Sequence, residues 1–430
     1  MTRFPEPGKT KTRLIPALGP DRAAALHHCL IRRTLNVVLR WTESSDREVE
    51  IRYTGGNEEF FRTHFGPLPR YVPQSEGALG ERMSAAMAAA FDEGSDRVVV
   101  IGTDCPELDS SHLTWAFERL AHTDVVIGPA TDGGYYLLGT RRHLPQLFEG
   151  IAWGTEHVLR QTLQQATKVS VSVSQLDPLS DVDVAEDLIE CRRAAQDFDT
   201  VLPQIVPGRI SIIIPTLNEA TTITSALRRL RGHADVEIIV ADGGSDDQTV
   251  ELARSAAATV ITCSRGRGQQ LNAGAALASG DVLLFLHSDT QLPDDFADQI
   301  QQALTQGVGG AFRLSIGAKG WILRLVEFAA NARSRWLQMP YGDQAIFVPA
   351  TVFFEMHGFR HIPLMEDYDF CRRLRRVGRI SLASSSVVTS ERRWQKLGVL
   401  RTTLTNLACV IAFRLGVSPK TLASWYRRPG

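Results

Sequence analysis

The chain has 430 residues, 43% of them hydrophobic and 22% charged, with six cysteines and a formal net charge of −1. That length spans roughly two to four domains of ~100 to 200 residues and excludes a single small module, and the balance of apolar and charged residues excludes wholesale disorder. The cysteines, at positions 29, 105, 191, 263, 371 and 409, form no C-x-x-C pair and have no histidine at zinc spacing. Neither a disulfide framework nor a structural zinc site is therefore expected, and a reducing, cytoplasmic compartment is.

At the start of the chain, Met1 to Arg13 is polar and rich in Lys and Arg, without the apolar core of a signal peptide. Phe4 to Leu14 wraps Lys9, Lys11 and Arg13 around Gly8, a cationic glycine turn suited to a triphosphate, although the G-x-x-x-x-G-K-[ST] spacing is lacking. Gln74 to Arg82 is a loop bearing Gly77, Gly80 and Arg82, and the Ala-rich stretch Met83 to Phe91 is predicted to be helical. Val98 to Ile101 and Val125 to Ile127 read as buried strands, the first running into Asp104. Asp132-Gly133-Gly134 marks a turn, and Asp181 and Asp183 form a second acidic site.

The passage from Asp197 to Gly208, with Pro203 and Pro207-Gly208, marks a boundary between domains at 1–200 and 208–430. Residues 1–207 sum to −8 and residues 208–430 to +7. Beyond the boundary, Ile210 to Ile214, Glu237 to Val240 and Val282 to Leu286 are short Ile/Val/Leu runs separated by helical segments, the pattern of a buried parallel sheet. Both halves read as α/β. VVVIGTDCPEL at 98 and LLFLHSDTQLP at 283 echo each other, each delivering an aspartate to a strand's carboxyl end. There Asp104 and Asp289 either hold Mg²⁺ or Mn²⁺ against a nucleotide or cap the next helix.

Four further pieces follow in order. Ser211 to Glu219, with Pro215, is a strand ending in a turn with a carboxylate. Ile238 to Asp247 sets Asp242 after a second strand, where it is able to accept a nucleobase N–H, next to Gly243 and Gly244. His287-Ser288-Asp289 ends a third strand. Glu366-Asp367 opens the basic helix Cys371 to Val377, as the helix dipole prefers.

As an ordered set these pieces resemble family 2 glycosyltransferases of the GT-A fold over about residues 209 to 425. The resemblance implies a transfer that inverts the anomeric carbon, with Glu219 and Asp242 as nucleoside contacts, Asp289 as the ligand of Mg²⁺ or Mn²⁺, and Asp367, next to Glu366, as the general base. This chain has Asp242-Gly243-Gly244-Ser245 where many members have Asp-Asp-Gly-Ser, and His287-Ser288-Asp289 in place of D-x-D. Arg265 to Gly274, with Arg267, Gln270 and Asn272, is a cradle for donor phosphate or ribose or else a basic surface loop. Asp343 and Gln344, within Pro340 to Ala345, are expected to face a sugar or acceptor. With Arg392-Arg393-Trp394 and Leu415 to Pro419, these features are similar to the bacterial branch called transferase 2, radical-SAM/selenodomain-associated.

The first half resembles nucleotidyltransferases of the molybdenum-cofactor and phospholactate guanylyltransferase type, especially transferase 1, radical-SAM/selenodomain-associated (DUF2064-like), over residues 1 to 195. That resemblance implies that Lys9, Lys11 and Arg13 bind a triphosphate, that Asp104 and Asp181 or Asp183 bind metal, and that Gly77 to Arg82 bind the nucleobase. Relatives begin with an apolar strand that feeds the P-G-K turn, so the first strand is expected to be missing here. The two resemblances imply tandem nucleotide-diphosphate-sugar-transferase-like (GT-A, Rossmann-like) domains with mainly parallel central sheets. The function they imply is sugar transfer from a nucleotide sugar, with a first half that either activates a sugar phosphate with a nucleoside triphosphate or serves as a binding or regulatory module; a non-catalytic nucleotide-binding scaffold is the remaining alternative.

Residues 360–430 hold 14 basic and 4 acidic residues, yet no aromatic–basic stripe points to nucleic acid. Thr402 to Phe413 is apolar, interrupted by Asn406 and shorter than the ~18 residues of a spanning helix. It is expected to pack as an ordinary helix, with peripheral membrane contact allowed but not favoured.

Overall fold

A computed structural model describes residues 1–43, 47–67, 70–193, 197–198, 200–230, 232–233, 235–318, 320–390 and 398–427. Arg392, Arg393 and Trp394 lie outside the described residues. The chain forms two compact units, Met1–Asp183 with Ala194–Val201, and Val184–Arg193 with Leu202–Gly430. Residues 184–193, which precede the boundary read from the sequence, go with the second unit. Arg192 fixes them there by donating to the carbonyls of Ala276, Pro203 and Ala278 at 2.8, 2.6 and 2.6 Å.

The second unit is built on β8 (Val206–Thr216), β9 (Val236–Asp242), β10 (Thr259–Thr262), β11 (Gly280–Phe285), β12 (Thr290–Gln291), β13 (Gly309–Ile316), β14 (Phe347–Pro349) and β15 (Ile380–Thr389). They form one sheet in the order β10-β9-β8-β11-β14-β13-β15-β12, parallel from β10 through β11. Ile212, Ile213 and Ile214 are fully buried, because β8 is central and helices cover both faces. Burying each such side chain contributes about 1.5–3 kcal/mol, so the run Ile210 to Ile214 anchors the sheet. This central placement brings the carboxyl ends of β8, β9 and β11 together, where open α/β sheets form their ligand crevice.

The first unit contains β1 (Thr2–Arg3), β2 (Glu50–Thr54), β3 (Arg70–Pro73), β4 (Val98–Ile101), β5 (Val125–Pro129), β6 (Tyr135–Thr140) and β7 (Val173–Gln175). They form two sheets, β1-β2-β3 and β4-β6-β5-β7. Placed end to end, 3-2-1 and 4-6-5 repeat the winding of β10-β9-β8 and β11-β14-β13. Asp104 and Asp289 therefore both follow the fourth strand of their unit, which accounts for the echo in the sequence.

The expected loss of the first strand is corrected to a stub. Thr2 and Arg3 pair in parallel with Tyr53 and Thr54, and the Met1 amine donates to the Ile101 carbonyl at 2.7 Å. Where the eleven-residue β8 joins β9 to β11, the two-residue β1 leaves β2 and β4 on opposite walls of a cavity of about 250 Å³. Ile51, Val99, Leu35 and Ala86 are among its lining residues.

Candidate active site

In the second unit the turns after β8 and β9 are laced together. The Asn218 N–H donates to Ser245 Oγ at 2.9 Å, the Asp246 N–H to Asn218 Oδ1 at 2.9 Å, and the Glu219 N–H to Thr249 Oγ1 at 2.8 Å. Asn218 adopts a left-handed φ of 57°, which an asparagine tolerates better than most residues. The Glu219 carboxylate accepts from Thr222 Oγ1 at 2.6 Å. Pro215 lies within β8, opposite Ala241.

Asp242 is 1% exposed, and its carboxylate accepts the N–H groups of Gly244 (3.0 Å) and Ser245 (2.8 Å) and the hydroxyls of Ser245 and Thr216. It holds its own turn. Gln270 bridges the ends of the two strands by donating to the carbonyls of Thr216 (2.7 Å) and Ala241 (2.9 Å). Asn272 pairs with both main-chain groups of Phe359, at 2.8 and 2.9 Å. These two amides were expected to bind donor; the structure gives them main-chain partners, because buried polar main-chain groups, at strand ends for Gln270 and in the loop at Phe359 for Asn272, require them. Arg265 and Arg267 remain exposed at the start of the helix Arg267–Ala276.

Asp289 is half-buried beyond β11, in a cleft of about 170 Å³ lined also by Thr222, Ser225, Ser288, Thr290 and Arg229. One carboxylate among hydroxyl oxygens is a donor set that suits a hard cation sharing its coordination with phosphate oxygens.

A second pocket, of about 120 Å³, gathers Glu366, Asp367, Asp343, His287, Arg267 and Tyr341. Asp367 lies in the first turn of the helix Glu366–Val377, whose residue before the start, Met365, takes a left-handed φ of 73°. Gly342 donates its N–H to Asp367 Oδ2 at 2.7 Å, and Tyr368 donates to Oδ1 at 2.7 Å, so both oxygens are held. Asp369, two residues on and so on the opposite face of the helix, is 2% exposed and takes Arg373 at 2.8 Å. Glu366 is buried, and this, with the neighbouring charge of Asp367, raises its pKa to about 7; Arg267, 3.8 Å away, works in the other direction.

Gln344 was expected to face a sugar, and this is corrected. It is fully buried, accepts from Arg333 (3.0 Å) and Ser334 (2.7 Å) and donates to the Phe312 carbonyl at 3.1 Å. Its neighbour Asp343 lines the pocket. Sequence reasoning missed His287 as a pocket residue and Gly342 as the donor that holds Asp367. His287 stands where the D-x-D comparison signals a departure, and Gly342 carries no local signal of its role.

In the first unit, Lys11 sits at a left-handed φ of 47° and is almost buried. Its Nζ lies 2.8 Å from Asp104 Oδ1, 3.1 Å from Asp183 Oδ1 and 2.7 Å from the Val182 carbonyl. Burial alone would lower the Lys11 pKa; the two carboxylates outweigh it and hold the ammonium well above the ordinary lysine range. Burial alone would raise Asp104, which Lys11 and His27 instead keep low. Arg13 reaches Asp183 at 3.4 Å, whereas Lys9 pairs with Glu6 at 2.7 Å on the surface. The structure therefore joins Lys11, Arg13, Asp104 and Asp183, and leaves Lys9 apart. Asp181 is half-buried near Cys105, whose thiol is pushed up by burial and by that charge. Gly8 and Gly77 take left-handed turns, Gly80 packs under the Trp153 ring, and Arg82 donates to Gln74 at 2.8 Å.

Residues 37–155 match the family described as an uncharacterized protein conserved in bacteria (DUF2064), and residues 211–362 match glycosyl transferase family 2. The undecaprenyl-phosphate 4-deoxy-4-formamido-L-arabinose transferase of Aeromonas hydrophila is 32% identical over 111 residues, 23% of this chain and 34% of that protein. Glycosyltransferase AglJ of Haloferax volcanii is 33% identical over 103 residues, 24% of this chain and 34% of its own. The chain thus spans about a third of the length of these relatives. A crystal structure from Desulfovibrio desulfuricans G20, provisionally classed as a nucleotide-diphospho-sugar transferase, is 37% identical, with a TM-score of 0.42, over 46% of this chain and 86% of that one. This chain joins a DUF2064 domain to a domain of glycosyl transferase family 2.

Proposed function

We propose that the second unit transfers a sugar from a nucleotide-sugar donor to an acceptor hydroxyl with inversion, Asp367 taking the hydroxyl proton. The observation that carries this reading is the Asp367 carboxylate, gripped on both oxygens by main-chain N–H groups at the mouth of a helix and facing a pocket. A carboxylate fixed in this way loses little orientational freedom when an acceptor arrives, which is what a general base requires. A single displacement at the anomeric carbon needs one base and no enzyme nucleophile. In this reading Asp289 would hold Mg²⁺ or Mn²⁺, whose chemistry when bound would be to neutralise a departing diphosphate. Arg267 is exposed beside the same pocket and supplies a cation for donor oxygens. Incubation of the full chain with a panel of nucleotide sugars, each with Mg²⁺ or Mn²⁺, tests the reading: release of nucleoside diphosphate is expected from at least one donor and is lost in Asp367→Asn.

For the first unit the Lys11 ammonium favours a binding or regulatory role over nucleotidyl transfer. Three oxygens converge on one point at distances suited to a cation, and a lysine already supplies the charge. Pyrophosphate release from nucleoside triphosphates in the presence of sugar phosphates would overturn this reading.

A further inference from the structure

Large apolar side chains are concentrated on one part of the surface. Of the 17 exposed large hydrophobic residues among those described, 11 lie between Trp321 and Trp425 on the helices Trp321–Leu337, Val399–Arg414 and their C-terminal continuation. On the first helix Trp321, Leu325, Phe328 and Trp336 recur at positions i, i+4, i+7 and i+15, a single stripe; Trp321 is 77% and Trp336 72% exposed. On the second, Leu404, Leu407, Ile411 and Leu415 recur at i, i+3, i+7 and i+11, and Leu415 is 80% exposed. The two helices touch each other. The expected simple packing of Thr402 to Phe413 therefore holds for one side of its helix only: Thr402 and Cys409 are buried, while the opposite side is bare.

Charge selects the occupant. Arg335, Arg401, Arg414 and Lys420 are exposed on the same helices and the segment after them. Residues 399–427 contain no Asp or Glu, and the sole acid of Trp321–Leu337, Glu327, is buried. Apolar stripes carrying Trp and flanked by Arg and Lys, on helices too short and too polar to cross a bilayer, are the composition of an interfacial anchor. A soluble protein partner or a second copy would have to match both the stripe and an uncompensated positive rim, and the other exposed large hydrophobics among the described residues, Phe60, Leu79, Trp115, Ile205, Val206 and Val377, are too scattered in the chain to offer a second copy such a face.

We infer that these two helices form a docking surface for an anionic lipid bilayer, lying in the plane of its interface. The inner side of Val399–Arg414 contributes Asn406, Cys409 and Val410 to the Asp367 pocket. Docking accordingly sets that pocket about one helix diameter, ~10–12 Å, from the lipid. The inference stands independently of the transfer reading.

Flotation of the full chain with vesicles of phosphatidylcholine alone, or with 30 mole per cent phosphatidylglycerol, is the test. Co-flotation with the anionic vesicles at 0.1 M salt, with a blue shift of tryptophan emission, is expected. Phe328→Glu combined with Leu407→Glu is expected to lower partitioning at least tenfold, with nucleotide-sugar affinity by calorimetry and melting temperature unchanged, since both side chains point outward. Failure to float with anionic vesicles, equal binding to neutral vesicles, or a lipid-independent dimer that the double variant converts to monomer would each overturn the inference.

Discussion

Gly342 donates its N–H to Asp367 Oδ2 at 2.7 Å, and a Cβ at Gly342 would lie 3.1 Å from His287 Nε2 and 3.2 Å from that same carboxylate oxygen. The loop before β14, the turn after β11 and the helix Glu366–Val377 therefore meet at a point with no room for a methyl group at ordinary contact distance. Gly342→Ala is expected to reduce turnover tenfold or more by displacing Asp367, while the melting temperature stays within a few degrees, because the crowded atoms are a surface carboxylate and an imidazole edge. Steady-state kinetics beside a thermal melt separates the two effects.

Asp367→Asn preserves shape, keeps one of the two main-chain N–H contacts through its amide oxygen, and removes the proton acceptor. Turnover is expected to fall by ~10²–10⁴, with nucleotide-sugar affinity by calorimetry within a factor of about three. Turnover near wild type would remove Asp367 from the role of base.

Glu366 gives a stability signature in pH. Its folded pKa, raised to about 7 by burial and by Asp367, lies above its unfolded value, so the native state binds the proton more tightly. Its contribution is present in full below about pH 4.5 and is lost as pH rises toward 7, by an amount on the order of 3 kcal/mol at most. Glu366→Gln, neutral throughout, is expected to lose that dependence. Urea unfolding of both proteins at pH 5 and pH 7.5 measures it.

Lys11→Met leaves Asp104 and Asp183 facing each other without their shared cation. The loss expected is about 1–3 kcal/mol, below that of a fully buried pair, because both carboxylates are nearly half exposed. Mg²⁺ or Mn²⁺ should restore much of it in the variant and do little in the wild type. Thermal melts with and without millimolar metal make the comparison.

The parts of this architecture that were legible in the sequence are those written in local pattern. Runs such as Ile210 to Ile214 announce a strand buried on both faces, and an aspartate a few residues past such a run emerges at a strand end, as Asp104 and Asp289 do. The acids of Glu366-Asp367 declare a helix start. Polar residues of the helix Arg267–Ala276 and of the turn before β14 gave no signal of their partners, because a side chain that faces a ligand and one that satisfies a buried carbonyl have the same composition. Gln270, Asn272 and Gln344 are of the second kind. The meeting of His287, Gly342 and Asp367, and that of Lys11 with Asp183, depend on crossovers between distant strands, which no spacing within the chain encodes.

The two-residue β1 has a consequence for how the first unit opens. Alternate amides of β4 point away from β6 toward the cavity, so the ladder that would transmit cooperativity from β2 to β4 is interrupted. In the second unit the same junction is closed by β8 pairing on both edges, along seven residues of β9 and five of β11. The two sheets of the first unit are thus expected to exchange their amide hydrogens at separate rates, while the second unit's strands share one protected ladder, a contrast that hydrogen–deuterium exchange measures.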